Sequence, residues 1–229
     1  VSMGGSQTHL WGVMHSPSGF VQAVMPIGGT TQEDGADPVR KWVFQLATAA
    51  LESDPVWKAT NGDYYHLPKD QHPNQGVAFH WSALLHTGFA LDFRVQQPWD
   101  TVRKDVFYWE PEGDDSVNVM NLAKSFDAVD LYYRNRTGLS YNINEDLRRS
   151  RAETLILHVE NDQWLLNSLA VKAAERIPGA RIISKPSPFA HYAIFGLPNA
   201  LQHDPVFRDF LQTVGLLAAE PAIALPNFQ

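Results

Sequence analysis

Three side chains in this sequence are of the types that nucleophilic acyl chemistry needs. They are Ser2 in Val1-Ser2-Met3-Gly4-Gly5, Asp162 just after Leu157-His158-Val159, and His191 in Phe189-Ala190-His191-Tyr192. A serine hydroxyl is a weak nucleophile at neutral pH. It becomes useful when an imidazole in hydrogen-bond reach takes its proton and a carboxylate fixes that imidazole's tautomer. Each residue also has an inert reading. Ser2 is then a terminal residue without a role, and Asp162 is an N-cap for a helix starting near Gln163, a position that favours Asp. Rival acids are Asp127 and Asp130, both in a helical stretch, and Glu160, which falls within a strand pattern. Rival imidazoles read as packing groups (His9, His15, His158), as members of the helical middle of the chain (His66, His72, His80, His86) or as solvent-facing (His203). No set of histidines and carboxylates has a metal-ligand spacing, so the reading calls for no metal and no cofactor.

The elements that must position these residues fall into three blocks. From Ser2 to about Thr31, a tight turn leads into a helix pattern that stops at Pro17, and the apolar run FVQAVMPIGG then reads as a buried strand. From about Gln32 to Arg151, WVFQLATAALESDP, WSALLHTGFALDF and VMNLAKSFDAVDLYY carry apolar residues at helical spacing. Polar loops such as HLPKDQHPNQG and WEPEGDD separate them. From Ala152 onward the pattern alternates again. TLILHVEND is a strand, LLNSLAVKAAERIPGA a helix closing at Pro178-Gly179, and ARIISK a strand. A loop holds FAHYAIF, and DPVFRDFLQTVGLLA is a last helix. Turn–helix–strand followed by strand–helix–strand predicts an α/β protein with a parallel sheet, interrupted by a mostly helical insert. In such a sheet ligands meet the chain at the carboxyl ends of the strands. Ser2, Asp162 and His191 all belong at that edge, and the 29 residues from Asp162 to His191 leave room for one helix and one strand.

Composition bounds the function classes. The chain has 229 residues, 44% hydrophobic and 19% charged, with a formal charge of −7. Such a balance is that of an ordinary globular protein, and no Lys/Arg cluster suits nucleic acid or an anionic membrane surface. No apolar run reaches the length of a membrane-spanning helix. Cysteine is absent, which excludes disulfides, thiolate metal sites and cysteine nucleophiles.

Five segments in order resemble the α/β-hydrolase family and, within it, the homoserine O-acetyltransferase-like group. Ser2-Met3-Gly4-Gly5 with SQTHLWGVMHSP and FVQAVMPIGG resembles that family's nucleophile turn, first helix and next strand. DPVWKATNGDYY and NLAKSFDAVDL resemble its helical cap, LHVENDQWLL its acid strand, and PFAHYAIF its histidine loop. The order Ser, Asp, His is the family's order. The resemblance implies a hydrolase core over 1–31 and 152–229, with a cap over 32–151. It implies Ser2 as nucleophile, His191 as base and Asp162 as its acid, with the backbone N–H of Met3 as one oxyanion donor. It also implies that the first strands of the sheet come from a preceding segment or a companion chain, and that the cap helices form a homodimer.

Two departures bear on substrate. Where the homoserine enzymes carry a cap arginine that pairs with the amino acid's carboxylate, the matching stretch here is His86-Thr87-Gly88-Phe89. Where they carry an Asp after the catalytic histidine, this chain has Tyr192. A zwitterion would lose both partners. The expected pocket is therefore lined by Phe89, Trp81 and Tyr192 and suits an apolar or aromatic ester. The first expectation is a serine hydrolase of a small ester or thioester. The second is an O-acetyltransferase using acetyl-CoA and an alcohol other than homoserine. A non-catalytic binding module is the third.

Overall fold

The computed structural model describes residues 1–31, 38–96 and 123–217. The loop WEPEGDD and the tail EPAIALPNFQ lie outside them. Labels below number the described elements in chain order.

The chain enters helix α1 (Met3–His15) directly and returns through strand β1 (Ala23–Val24). FVQAVMPIGG yields only this short formal strand because Pro26 has no N–H to donate. Pairing nevertheless continues past it. Leu157 N–H donates to Pro26 O at 2.9 Å, Gly28 N–H to Leu157 O at 2.8 Å, and Ile27 bridges Leu157 in parallel. Strand β2 (Glu153–Val159) is the centre of the described sheet, with β1 on one side and β3 (Arg181–Lys185) on the other, all parallel. Helix α7 (Asn167–Arg176) makes the crossover from β2 to β3 and ends at Pro178-Gly179, where Gly179 takes φ +71°.

Strand alternation sorts β2 onto two cores. Leu155, Leu157 and Val159 pack with Ile183, Ile194 and the late helices α8 (Leu197–Ala200) and α9 (Pro205–Thr213). Ile156 points the other way, into Val13 of α1 and Ala170, Ala173 and Ile177 of the crossover. A parallel strand buried on both faces needs the near-continuous apolar run that TLILHV supplies.

Between β1 and β2 the described residues form helices only: α2 (Pro38–Ser53), α3 (Pro55–Thr60), α4 (Asn74–Gly88), α5 (Leu91–Gln96) and α6 (Ala128–Ser140), besides 3-10 turns. Leu51, Tyr64, Val77, Ala78, Ala128 and Leu131 are their shared core. Asp127 fixes the start of α6. Its carboxylate accepts the N–H groups of Val129 and Asp130 and the hydroxyls of Tyr64 and Tyr65. This accounts for Asp127 structurally, as an N-cap.

Candidate active site

Ser2, Asp162 and His191 come together. Ser2 stands at the N-cap of α1 with φ +53° and ψ −122°, a conformation that costs strain in a residue with a Cβ. A serine at a helix start ordinarily turns its hydroxyl onto the helix N–H groups. Here it makes no such bond, and Oγ lies 2.9 Å from His191 Nε2. The strained turn is held from behind, where Ser2 N–H donates to Ile27 O at 2.9 Å. The helix can approach this closely because Gly5 faces Gly29. A Cβ on Gly5 would meet Ile27 O at 2.5 Å and Gly29 N at 2.9 Å. That is the physical content of Gly5 in Met3-Gly4-Gly5, since a Cβ on Gly4 would meet nothing within 4 Å.

Asp162 follows the carboxyl end of β2 and is buried. Its two oxygens have separate tasks. Oδ2 is 2.7 Å from His191 Nδ1, while Oδ1 accepts the N–H groups of Trp164 at 2.8 Å and Leu165 at 3.0 Å. One oxygen thus faces the imidazole and the other holds the turn that follows. The helix itself starts later than Gln163, at Asn167, so Asp162 closes a turn rather than a helix. His191 lies in a 3-10 turn (Ala190–Phe195) after β3 and is 2% exposed. With a carboxylate on Nδ1, the ring proton sits there, so Nε2 is the acceptor and the Ser2 hydroxyl the donor. The Trp164 ring packs on the imidazole at a centroid distance of 4.6 Å, and Trp164 Nε1–H donates to Thr87 Oγ1 at 2.9 Å. An indole on one strand-end loop thus ties the imidazole to α4.

Met3, the next residue after Ser2, presents the first N–H of α1. Among the described residues that N–H has no acceptor. It is a free donor beside Ser2 at the positive end of a 13-residue helix.

Ser2 and His191 open onto a cavity of about 270 Å³ between core and helices, with Val43, Trp81, Leu84, Arg134, Trp164 and Tyr192 in its walls, while Asp162 stays buried behind His191. One sequence expectation is corrected here. Phe89 is not in the wall: it packs behind Tyr192, with ring centroids 4.6 Å apart, and against Phe93. The pocket also holds an arginine that the sequence reading did not single out. Arg134 enters it from α6 and not from the stretch around Thr87. Periodicity held the signal, since Ala128, Leu131 and Asn135 are the buried face of α6 and position 134 flanks that face.

The rival residues stand elsewhere. Glu160 lies just past the end of β2 and is exposed, so its placement inside the strand was wrong. His203 is exposed, as expected. His72 Nε2 bonds Leu67 O, 3.0 Å away. His80 is fully buried beside Arg134, and burial foremost, then that guanidinium, lowers its pKa to about 3. His9 is buried and lowered to about 3, by burial first and by His158 second. The side chain of His86 lies outside the described residues. Among the described residues no three histidines or carboxylates stand close enough to hold a metal ion.

No protein-family profile matches the chain. No curated protein matches it in sequence. Solved structures do match in fold. Esterase E22 is 20% identical with a TM-score of 0.68, the match covering 91% of this chain and 59% of that one. An acetylester hydrolase from Corynebacterium glutamicum is 20% identical with a TM-score of 0.68, over 92% of this chain and 59% of that one. A homoserine O-acetyltransferase from Bacillus anthracis is 20% identical with a TM-score of 0.67, over 92% and 58%. The chain thus spans less than two thirds of the length of each. The fold is that of the α/β-hydrolases.

Proposed function

We infer that the chain carries the catalytic centre of a serine hydrolase acting on carboxylic esters. The observation that supports this reading is the hydrogen-bonded line from Ser2 Oγ through His191 to the buried Asp162, 2.9 and 2.7 Å long, at the wall of the cavity. In this reading Ser2 Oγ attacks the ester carbonyl while its proton passes to His191 Nε2. Asp162, already holding Nδ1–H, stabilises the imidazolium. The N–H of Met3 faces the developing oxyanion. His191 returns the proton to the departing alkoxide, which leaves as the alcohol. Water then adds to the acyl-serine with His191 again as base, releasing the acid and restoring the hydroxyl.

The fold likeness to an acetyltransferase is as good as that to the esterases, which favours a second reading in which an alcohol replaces water in the second half-reaction. The test is hydrolysis of p-nitrophenyl acetate by the wild type and by Ser2→Ala, with mass spectrometry after treatment with a fluorophosphonate. The reading expects turnover that Ser2→Ala abolishes, and a single adduct on Ser2. A folded wild type that neither turns over nor forms the adduct overturns it and leaves a binding module. Thiol release from acetyl-CoA that requires an added alcohol would favour the transferase.

A further inference from the structure

Arg134 shares the cavity with Ser2 and His191, and among the described residues no carboxylate balances its charge. A guanidinium drawn out of water needs an anion or a full set of acceptors. Arg134 Nη2 donates to His80 Nε2 at 2.9 Å and to Asn135 Oδ1 at 3.3 Å, and its Cζ lies 5.5 Å from the Trp81 ring centroid. All three neighbours are neutral. His80 accepts through Nε2 because its Nδ1–H is directed at Ala47 O, 3.3 Å away. Among the described residues no carboxylate forms an ion pair with Arg134. Its Nη1 and Nε are likewise without acceptors there. A second donor belongs to the same wall: Trp81 Nε1–H is buried and has no acceptor among the described residues. The remaining lining is largely apolar, with Val43, Leu84, Leu85 and Leu165.

Among the described residues the pocket therefore combines hydrocarbon walls, a serine hydroxyl and one cation that no carboxylate pairs. His80 and Asn135 hold one nitrogen of the planar fork, which leaves its other donors for a planar anion. We propose that Arg134 is a carboxylate-binding subsite, and that the ester taken by this pocket carries a free carboxylate at the end of an aliphatic chain. This rests on the esterase reading above. The carboxylate belongs either to the acyl side, as in a half-ester of a dicarboxylic acid, or to the alcohol side, as in an acylated hydroxy acid.

The experiment compares matched ester pairs by proton release at constant pH. Monomethyl glutarate against methyl pentanoate probes the acyl side, and 4-acetoxybutanoate against butyl acetate probes the alcohol side. The expected result is a preference in kcat/KM of about tenfold or more for the charged member of one pair. In Arg134→Met that ratio drops by about 30-fold or more, and Arg134→Lys recovers part of it. Glutarate binding to the wild type and to Arg134→Met by calorimetry gives a readout independent of turnover. If Arg134→Met does not fold, the wild-type ratios and Arg134→Lys still decide. Hydrolysis of neutral esters that depends on Ser2, with no charged preference and no glutarate binding, overturns the subsite and leaves the esterase reading standing. Arg134-dependent glutarate binding without any hydrolysis does the reverse.

Discussion

Two sets of buried histidine are built on the same two elements of this molecule, and they have opposite characters. Helix α1 starts at Ser2 and carries His9 two turns on. Strand β2 carries His158 and runs out toward Asp162. His191, docked between the ends of both elements, has each ring nitrogen engaged. His9 has neither nitrogen engaged, and His158 uses only Nδ1, against Val159 O. Burial is equal: His191, His9 and His158 are all at or below 2% exposure. Burial therefore does not distinguish a ring with partners on both nitrogens from a silent core ring. Burial first, and His158 second, drive His9 toward the neutral form, whereas His191 has a carboxylate on one side and a hydroxyl on the other, the arrangement a proton path needs.

The comparison breaks most sharply at Asp162. Asp162→Asn leaves an amide that no longer holds the proton on Nδ1, so His191 becomes as uncommitted as His9. The expected loss in kcat on p-nitrophenyl acetate is about 10⁴-fold. Thermal unfolding reports separately on the bonds from Trp164 and Leu165, which an amide oxygen still accepts. A variant with more than a tenth of wild-type kcat would mean that Asp162 is only a turn cap.

Both sets depend on how closely α1 lies on the sheet, and Gly5 is where that is decided. Gly5→Ala places a methyl group against backbone atoms of Ile27 and Gly29, which cannot swing away as a side chain would. The expected cost is about 3 kcal/mol, read as a lowered urea midpoint. Activity per folded molecule should fall too, because the turn at Ser2 is anchored on Ile27 O. Gly4→Ala is the control, since nothing lies within 4 Å of a Cβ there.

The silent set shows itself through pH. Burial first, and His158 second, bring His9 from 6.5 to about 3. Between those values the unfolded chain binds a proton that the folded chain does not. Stability is therefore full above about pH 6.5 and is lost as pH falls toward 3. His9 contributes a slope of about 1.4 kcal/mol per pH unit in that window. His80 shifts in the same direction, so acid sensitivity is shared. His9→Leu should flatten the stability curve below pH 6 by about one proton's worth and leave its upper limb in place. An unchanged slope in urea titrations at pH 4.5, 5.5 and 6.5 would place His9 in contact with water.

The sequence made some of this legible and hid the rest for physical reasons. TLILHV and ARIISK read as strands because a parallel strand buried on both faces needs an unbroken apolar run. Ser2, Asp162 and His191 were readable because strand ends gather at one edge of such a sheet, so topology predicts convergence without coordinates. The pocket was less legible. Phe89 leaves the wall and Arg134, to which the sequence reading gave no role, enters it, because helix rotation decides which side chain enters a cavity, and a resemblance aligned on one stretch of α4 is blind to a residue of α6. The strand expected across FVQAVMPIGG shortened at Pro26, a local rule that was available in the sequence. The double bonding of Asp162, to the turn and to the imidazole together, could not be read because it depends on where two oxygens point.

The smallest expected effect concerns what keeps His191 from drifting toward the uncommitted state. Trp164 covers the imidazole, and its Nε1–H is held by Thr87 Oγ1, whose own hydroxyl donates to Ala83 O at 2.8 Å. Thr87→Val keeps the shape and removes the acceptor, leaving an indole donor unpaired at about 1 kcal/mol. If the indole only fills space, stability drops by that amount and kcat/KM does not change. If the indole holds the imidazole over Ser2, kcat/KM on p-nitrophenyl acetate falls a few-fold as well. Trp164→Phe, which keeps a ring but has no donor to lose, then restores stability without restoring rate. Equal rates in wild type, Thr87→Val and Trp164→Phe would assign the positioning of His191 to Asp162 alone.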